Sequence, residues 1–170
     1  MVLPGKRAAF ERLVSANLPV ALRFAVRLTG RLDTAEDVVQ EAMLRASRSW
    51  KSFRGESQFK TWLLRIVINV HRDQHRGPPI PEKLADDLIE SRQPASCDVA
   101  AAAELAETIA RGVAALPLRQ REVLVLSAYE GLTTREIADT LEISDSNVYS
   151  TLSAAREKLR QSLAPYLAEK

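Results

Sequence analysis

A single cysteine, Cys97, stands in 170 residues, which excludes an intramolecular disulfide framework and any zinc site built on several thiolates. With only six glycines and eight prolines, collagen-like and low-complexity material is excluded too. Apolar runs are short: Trp62 to Val70 is broken by Arg65 and Asn69, far from the roughly 20 residues of a membrane span. Lys6 and Arg7 are not followed by an apolar core with a small-residue cleavage site, so no secretion signal and no direct membrane insertion are expected. A cytoplasmic protein is the expectation. What is present, 46% hydrophobic and 27% charged residues, fits a globular chain long enough for one ordinary domain or two small ones.

The net charge of +2 conceals an uneven distribution. Residues 1–76 carry 14 Lys/Arg against 7 Asp/Glu, a charge of +7. Residues 77–110 carry 2 against 7, or −5, and residues 111–170 carry 8 of each. A basic first part points to a polyanion, although a solvated basic face has the same composition.

Helical periodicity dominates. Phe10, Leu13, Val14, Leu18, Leu22, Ala25, Val26 and Leu28 recur at helical spacing, with an interruption expected near Pro19 and a stop at Thr29-Gly30. Asp33 with Glu36 reads as a capping box opening a second helix, whose inward stripe is Val38, Val39, Ala42, Met43 and Ala46. A third helix is expected from about Gln58 to Arg76, buried through Phe59, Leu63, Ile66, Val67 and Val70. Three prolines between Pro78 and Pro81 end it. Residues 77–97 read as an acidic, proline-rich linker with at most a short helix around Glu82 to Glu90. Asp98 opens an alanine-rich helix to Leu116, Pro117 starts another that ends at Gly131, and two more follow. The first of these is capped by Thr133 and Glu136, the second by Ser144. The expected fold is all-α: two small helical domains, 1–76 and 98–170, joined by a flexible linker.

Ile137-Ala138, a short turn, then Val148 and Leu152 is the burial pattern of a helix-turn-helix. Its second helix would turn Asn147, Tyr149, Ser150, Thr151, Ser153, Ala154 and Arg156 outward, toward a major groove. An ordinary helical hairpin would show the same spacing. Four of the nine aromatics (Trp50, Phe53, Phe59, Trp62) alternate with Lys51, Arg54, Lys60 and Arg65. Rings stack on bases while cations hold phosphates, the chemistry of single-stranded nucleic-acid binding; the bland alternative makes the rings core. The acidic set Asp33, Glu36, Asp37 and Glu41 has no histidine beside it and reads as a partner-binding patch. His71 and His75, one turn apart, lack a third ligand, so no metal and no cofactor are expected. Cys97 has no activating neighbour and no assigned role.

These residues carry a resemblance. Asp33-Thr34-Ala35-Glu36-Asp37-Val38-Val39-Gln40-Glu41-Ala42-Met43-Leu44-Arg45-Ala46 resembles the polymerase-binding stretch of region 2 of bacterial sigma factors. Phe53 to Ile66, continuing to Asn69 and Asp73, resembles the promoter-melting part of the same region. Leu116 to Leu124, Gly131-Leu132-Thr133 and Glu136-Ile137-Ala138 resemble region 4. Order and spacing are those of the two-domain extracytoplasmic-function group, and nearly the whole chain is covered.

The resemblance implies a non-enzymatic subunit that directs core RNA polymerase to promoters. Asp33, Asp37, Gln40, Glu41 and Arg45 would meet the clamp helices of the beta-prime subunit, with the beta subunit a further contact. Phe53, Lys60, Trp62, Arg65, Asn69, Arg72 and Arg76 would open and hold the minus-ten element, the loop from Phe53 to Gln58 cradling an extruded base. Unstacking costs a few kcal/mol, which one or two base–aromatic stacks of about 1–3 kcal/mol each offset. Arg119, Arg121, Arg135, Asn147, Tyr149, Ser150, Ser153 and Arg156 would meet the minus-thirty-five element. The linker would pass near the polymerase active site, its negative charge imitating nucleic acid. An anti-sigma factor is a further implied partner.

Six positions depart from the family pattern. Tyr149, Thr151, Ser153 and Ala154 stand where relatives carry cations, which predicts weak minus-thirty-five binding. Glu142 replaces the usual turn glycine, and Ile68 replaces a frequent arginine. Competing readings are a self-standing helix-turn-helix regulator, a metal enzyme using His71 and His75, and a sigma-like decoy that competes for polymerase without selecting promoters.

Overall fold

The computed structural model describes residues 4–55, 57–75 and 97–168. They form seven α-helices and one short 3-10 turn, with no strand among the described residues. The chain divides into two compact units, Met1–Val26 with Asp33–Pro81 and Arg27–Leu32 with Glu82–Lys170. Arg76, the linker over 77–96 and the short helix expected at Glu82 to Glu90 lie outside the described residues.

Helix α1 (Pro4–Thr29), which belongs to the first unit as far as Val26, runs unbroken through Pro19. The expected interruption is absent because Pro19 and Ser15 are both exposed, so water can satisfy the carbonyl that the missing amide leaves open. The buried stripe is Ala21, Phe24, Ala25 and Leu28, of which Ala25 and Leu28 were expected, while Leu18 is exposed. Gly30, at φ +72°, follows the helix end as expected.

The second helix, α2 (Leu32–Ser49), begins one residue before the expected cap. Asp33 therefore lies in the first turn, where its carboxylate accepts the Thr34 amide at 2.6 Å. Its inward stripe is Ala35, Val38, Val39, Ala42 and Ala46. After a 3-10 turn (Trp50–Ser52), α3 (Phe59–Gln74) is buried along two stripes, Phe59–Leu63–Val67–Val70 and Leu64–Ile68–His71. Ile66 is only half-buried, and Ile68, standing where an arginine is frequent, belongs to the buried surface.

The second unit contains α4 (Cys97–Ala114), α5 (Leu118–Ala128), α6 (Thr134–Leu141) and α7 (Asp145–Ala168), and α7 packs against the other three. Pro117, extended at ψ 142°, precedes α5, and Gly131 at φ +69° turns the chain toward α6. Val123, Leu124, Val125, Leu126, Ile137, Ala138, Leu141, Val148, Leu152 and Ala155 form the core. Thr133 and Glu136 complete the expected capping box in both directions, and the Ser144 hydroxyl accepts the Asn147 amide at 3.2 Å. Such caps stabilise by about 1 kcal/mol each.

Candidate functional site

The amphipathic spacing of α2 buries its alanines and valines and leaves Asp33, Glu36, Asp37 and Gln40 exposed. Asp37 and Gln40 make no hydrogen bond or ion pair with the described residues. Leu44, half exposed, continues the stripe one turn on. Glu41 and Arg45 behave differently. The Arg45 guanidinium donates to Glu41 Oε1 at 2.8 Å and to Asp73 Oδ2 of α3 at 2.7 Å. Asp73 first, then Glu41, raises the Arg45 pKa above its already high ordinary value by bonding to the charged form.

Around the start of α3, five rings meet. Phe10, Trp50, Phe53, Phe59 and Trp62 lie with neighbouring centroids 5.0–6.5 Å apart, and Trp50 and Phe53 are stacked at an interplanar angle of 19°. The Trp50 indole nitrogen donates to the Lys6 carbonyl at 3.0 Å, fixing the cluster to α1. Only Phe59 is fully buried; Trp50, Phe53 and Trp62 are half-buried. The two readings of these rings thus combine: each packs on its neighbours and still presents an edge or face to solvent. Of the expected minus-ten residues, Phe53 and Trp62 join this cluster, Lys60, Arg65 and Arg72 are half-buried along α3, Asn69 is exposed, and Arg76 lies outside the described residues.

In the second unit, Glu142 closes α6 in the left-handed conformation, φ 56° and ψ 49°. The turn keeps the geometry that glycine usually serves, despite a cost of about 1–2 kcal/mol for an L-residue. It sets α7 so that Val148 and Leu152 face the core while Asn147, Tyr149, Ser150, Ser153 and Arg156 are exposed, Tyr149 at 64%. Ser127, Thr133, Thr134, Tyr149, Ser153 and Arg156 share one concave surface. Arg156 makes no ion pair with the described residues.

Of the three supporting cations, Arg119 and Arg135 are exposed, whereas Arg121 is buried, contrary to its expected place on the minus-thirty-five surface. Arg121 is 6% exposed, its guanidinium donating to the Ala114 carbonyl and, at 3.1 Å, to the Leu116 carbonyl. With a further bond to the Leu28 carbonyl it caps helix ends rather than reaching outward, because a buried guanidinium needs several acceptors and the last carbonyls of a helix lack partners within it. Arg119 is 3.5 Å from the buried Glu122, and Arg135 is 3.5 Å from Asp139 and 4.0 Å from Asp145.

His71 is buried and its ring lies 4.2 Å from that of His75. No group of three His, Cys, Asp or Glu able to hold a metal exists among the described residues, and no described helix is long and apolar enough to cross a membrane. The structural roles of two residues named in the sequence reading were not foreseen. Phe10 looked like any apolar stripe member. Asp73 stands 28 positions from Arg45, beyond the reach of helical spacing rules.

Comparison with known proteins agrees with this geometry. Protein-family models match Sigma-70 region 2 over residues 13–77 and Sigma-70 region 4 over residues 106–159. The chain is 32% identical to the RNA polymerase sigma-H factor of Pseudomonas aeruginosa, covering 97% of this chain and 91% of the relative. It is 31% identical to the ECF RNA polymerase sigma-E factor of Haemophilus influenzae, covering 98% and 93%. Among solved structures, the sigma factor RpoE of Bartonella quintana, in complex with the anti-sigma factor NepR, superposes with a TM-score of 0.75 at 26% identity over 92% of this chain and 97% of that one. A basic unit with an exposed acidic helix, followed by a helix-turn-helix, and these matches to both regions lead to one assignment: the chain belongs to the sigma-70 family, in its extracytoplasmic-function (ECF) group.

Proposed function

We propose that this chain is a promoter-specificity subunit that binds core RNA polymerase and directs transcription initiation without catalysis of its own. The observation that carries this reading is the α2 face on which Asp37 and Gln40 are exposed and make no hydrogen bond or ion pair with the described residues. Asp33, Asp37, Gln40 and Glu41, with Arg45 behind them, would dock on the clamp helices of the beta-prime subunit. Charge complementarity there would set orientation and encounter rate. Trp62, Phe53 and the cations of α3 would then open and hold the minus-ten strand, while Asn147, Tyr149, Ser150, Ser153 and Arg156 would meet the minus-thirty-five duplex. An anti-sigma factor is the proposed inhibitory partner, since RpoE is seen bound to one.

The test is reconstitution with bacterial core polymerase and transcript mapping across a genomic template. New, specific start sites are expected. Asp37→Lys should weaken core binding more than tenfold, because placing like charges together at an interface costs several kcal/mol, and should leave the circular dichroism unchanged. Absence of core binding by the wild-type chain would contradict the reading. Binding without new starts would favour the decoy, a second reading motivated by the burial of Arg121 and the acidic neighbours of Arg119 and Arg135.

A further inference from the structure

The bridge from Arg45 to Asp73 joins two surfaces with different assigned tasks. Arg45 follows Asp37, Gln40 and Glu41 on α2, and Asp73 lies in the last turn of α3, after Lys60, Trp62, Arg65, Asn69 and Arg72. The guanidinium spans the gap with one nitrogen on each carboxylate, 2.8 Å to Glu41 and 2.7 Å to Asp73. Both ends are partly open, Arg45 38% and Asp73 42% exposed, so an incoming partner can compete for either carboxylate. Glu41 is also a residue expected to meet the polymerase.

We infer that Arg45 and Asp73 form a positioning latch that transmits docking on α2 to the angle of α3. A cationic partner that engages Glu41 withdraws that carboxylate from Arg45, and the guanidinium is left to Asp73 alone. The α2–α3 bridge tightens at the moment the polymerase is bound, holding α3 in the orientation that opens DNA. Neither residue need touch nucleic acid. This rests on the proposed promoter-opening role.

The latch makes a prediction whose sign is opposite to simple charge counting. Removing a carboxylate beside a DNA-binding helix should strengthen DNA binding by electrostatics alone. With full-length chain and saturating core polymerase, promoter opening is followed by permanganate reactivity of the minus-ten thymines. Asp73→Ala is expected to slow opening five- to tenfold while core affinity stays within twofold. Arg45→Ala should slow opening by a similar factor, and the double variant no further. Opening by Asp73→Ala at or above the wild-type rate, or multiplicative losses in the double variant, would overturn the latch. Failure of the wild-type chain to bind core or open any promoter would instead overturn the function on which it rests.

Discussion

The two units keep their exposed residues in place by different means. In the first, a cluster of five rings and a cross-helix ion bridge fix the segment from Trp50 to Asp73. In the second, an aliphatic core, a reciprocal capping box and one left-handed glutamate set the angle of α7. Their cations differ as well. The first part of the chain has an excess of seven positive charges, whereas in the second unit Arg121 is buried and Arg119 and Arg135 stand beside carboxylates. Phosphate contacts supply a large share of affinity for DNA. Under the proposed function, this difference would place most promoter engagement in the ring-bearing unit and a lesser, orienting part in the helix-turn-helix.

The largest expected effect breaks the first unit alone. Phe59→Ala should cost about 3–5 kcal/mol, because a nearly buried ring is lost from the centre of the aromatic cluster. Hydrogen exchange should show protection lost in α2 and α3 but retained in α5 to α7. Loss of protection throughout would mean that the units do not hold their structures separately.

Smaller effects separate the arginines of the second unit. Arg156→Ala should reduce the salt-dependence slope of promoter binding by about 0.9, the contribution of one phosphate contact. Arg121→Ala should leave that slope unchanged and lower the melting temperature instead, since stranding buried carbonyls costs about 1–3 kcal/mol. Equal slopes for wild type and Arg156→Ala would remove Arg156 from the interface.

Next in size is the capping box: Thr133→Ala should lose about 1 kcal/mol on chemical denaturation. The smallest effect is expected at the turn. Glu142→Gly should gain no more than about 1 kcal/mol, as relief of the left-handed strain is partly offset by the entropy of glycine. A loss of stability there would show that the glutamate side chain has a structural task.

Much of this was readable in the chain. Helical period, the stop at Thr29-Gly30, the second capping box and the Ser144 cap were all local signals, and the structure bears them out. The inward stripe of α1 was only partly legible: Ala25 and Leu28 are buried as expected, but Ala21 and Phe24 were missed and the break expected at Pro19 is absent. Proline disrupts a helix through an unmet carbonyl, and on an exposed face water removes that penalty. The acidic face of α2 was legible because a carboxylate on the solvent side of an amphipathic helix needs no tertiary explanation. Arg121 was misread for the opposite reason. A cation in an arginine-rich segment gives no sign from sequence whether it points outward or caps a neighbouring helix end. The Arg45–Asp73 bridge depends on the packing of α2 on α3 and could not be seen in either helix alone.

The division between the units is tested most directly by promoter substitution. Once a start site has been mapped, initiation by reconstituted holoenzyme is measured on templates altered only in the minus-ten or only in the minus-thirty-five element. We expect minus-ten substitutions to reduce initiation at least tenfold more than minus-thirty-five substitutions. A larger loss from the minus-thirty-five substitutions would contradict the assignment of promoter engagement to the first unit.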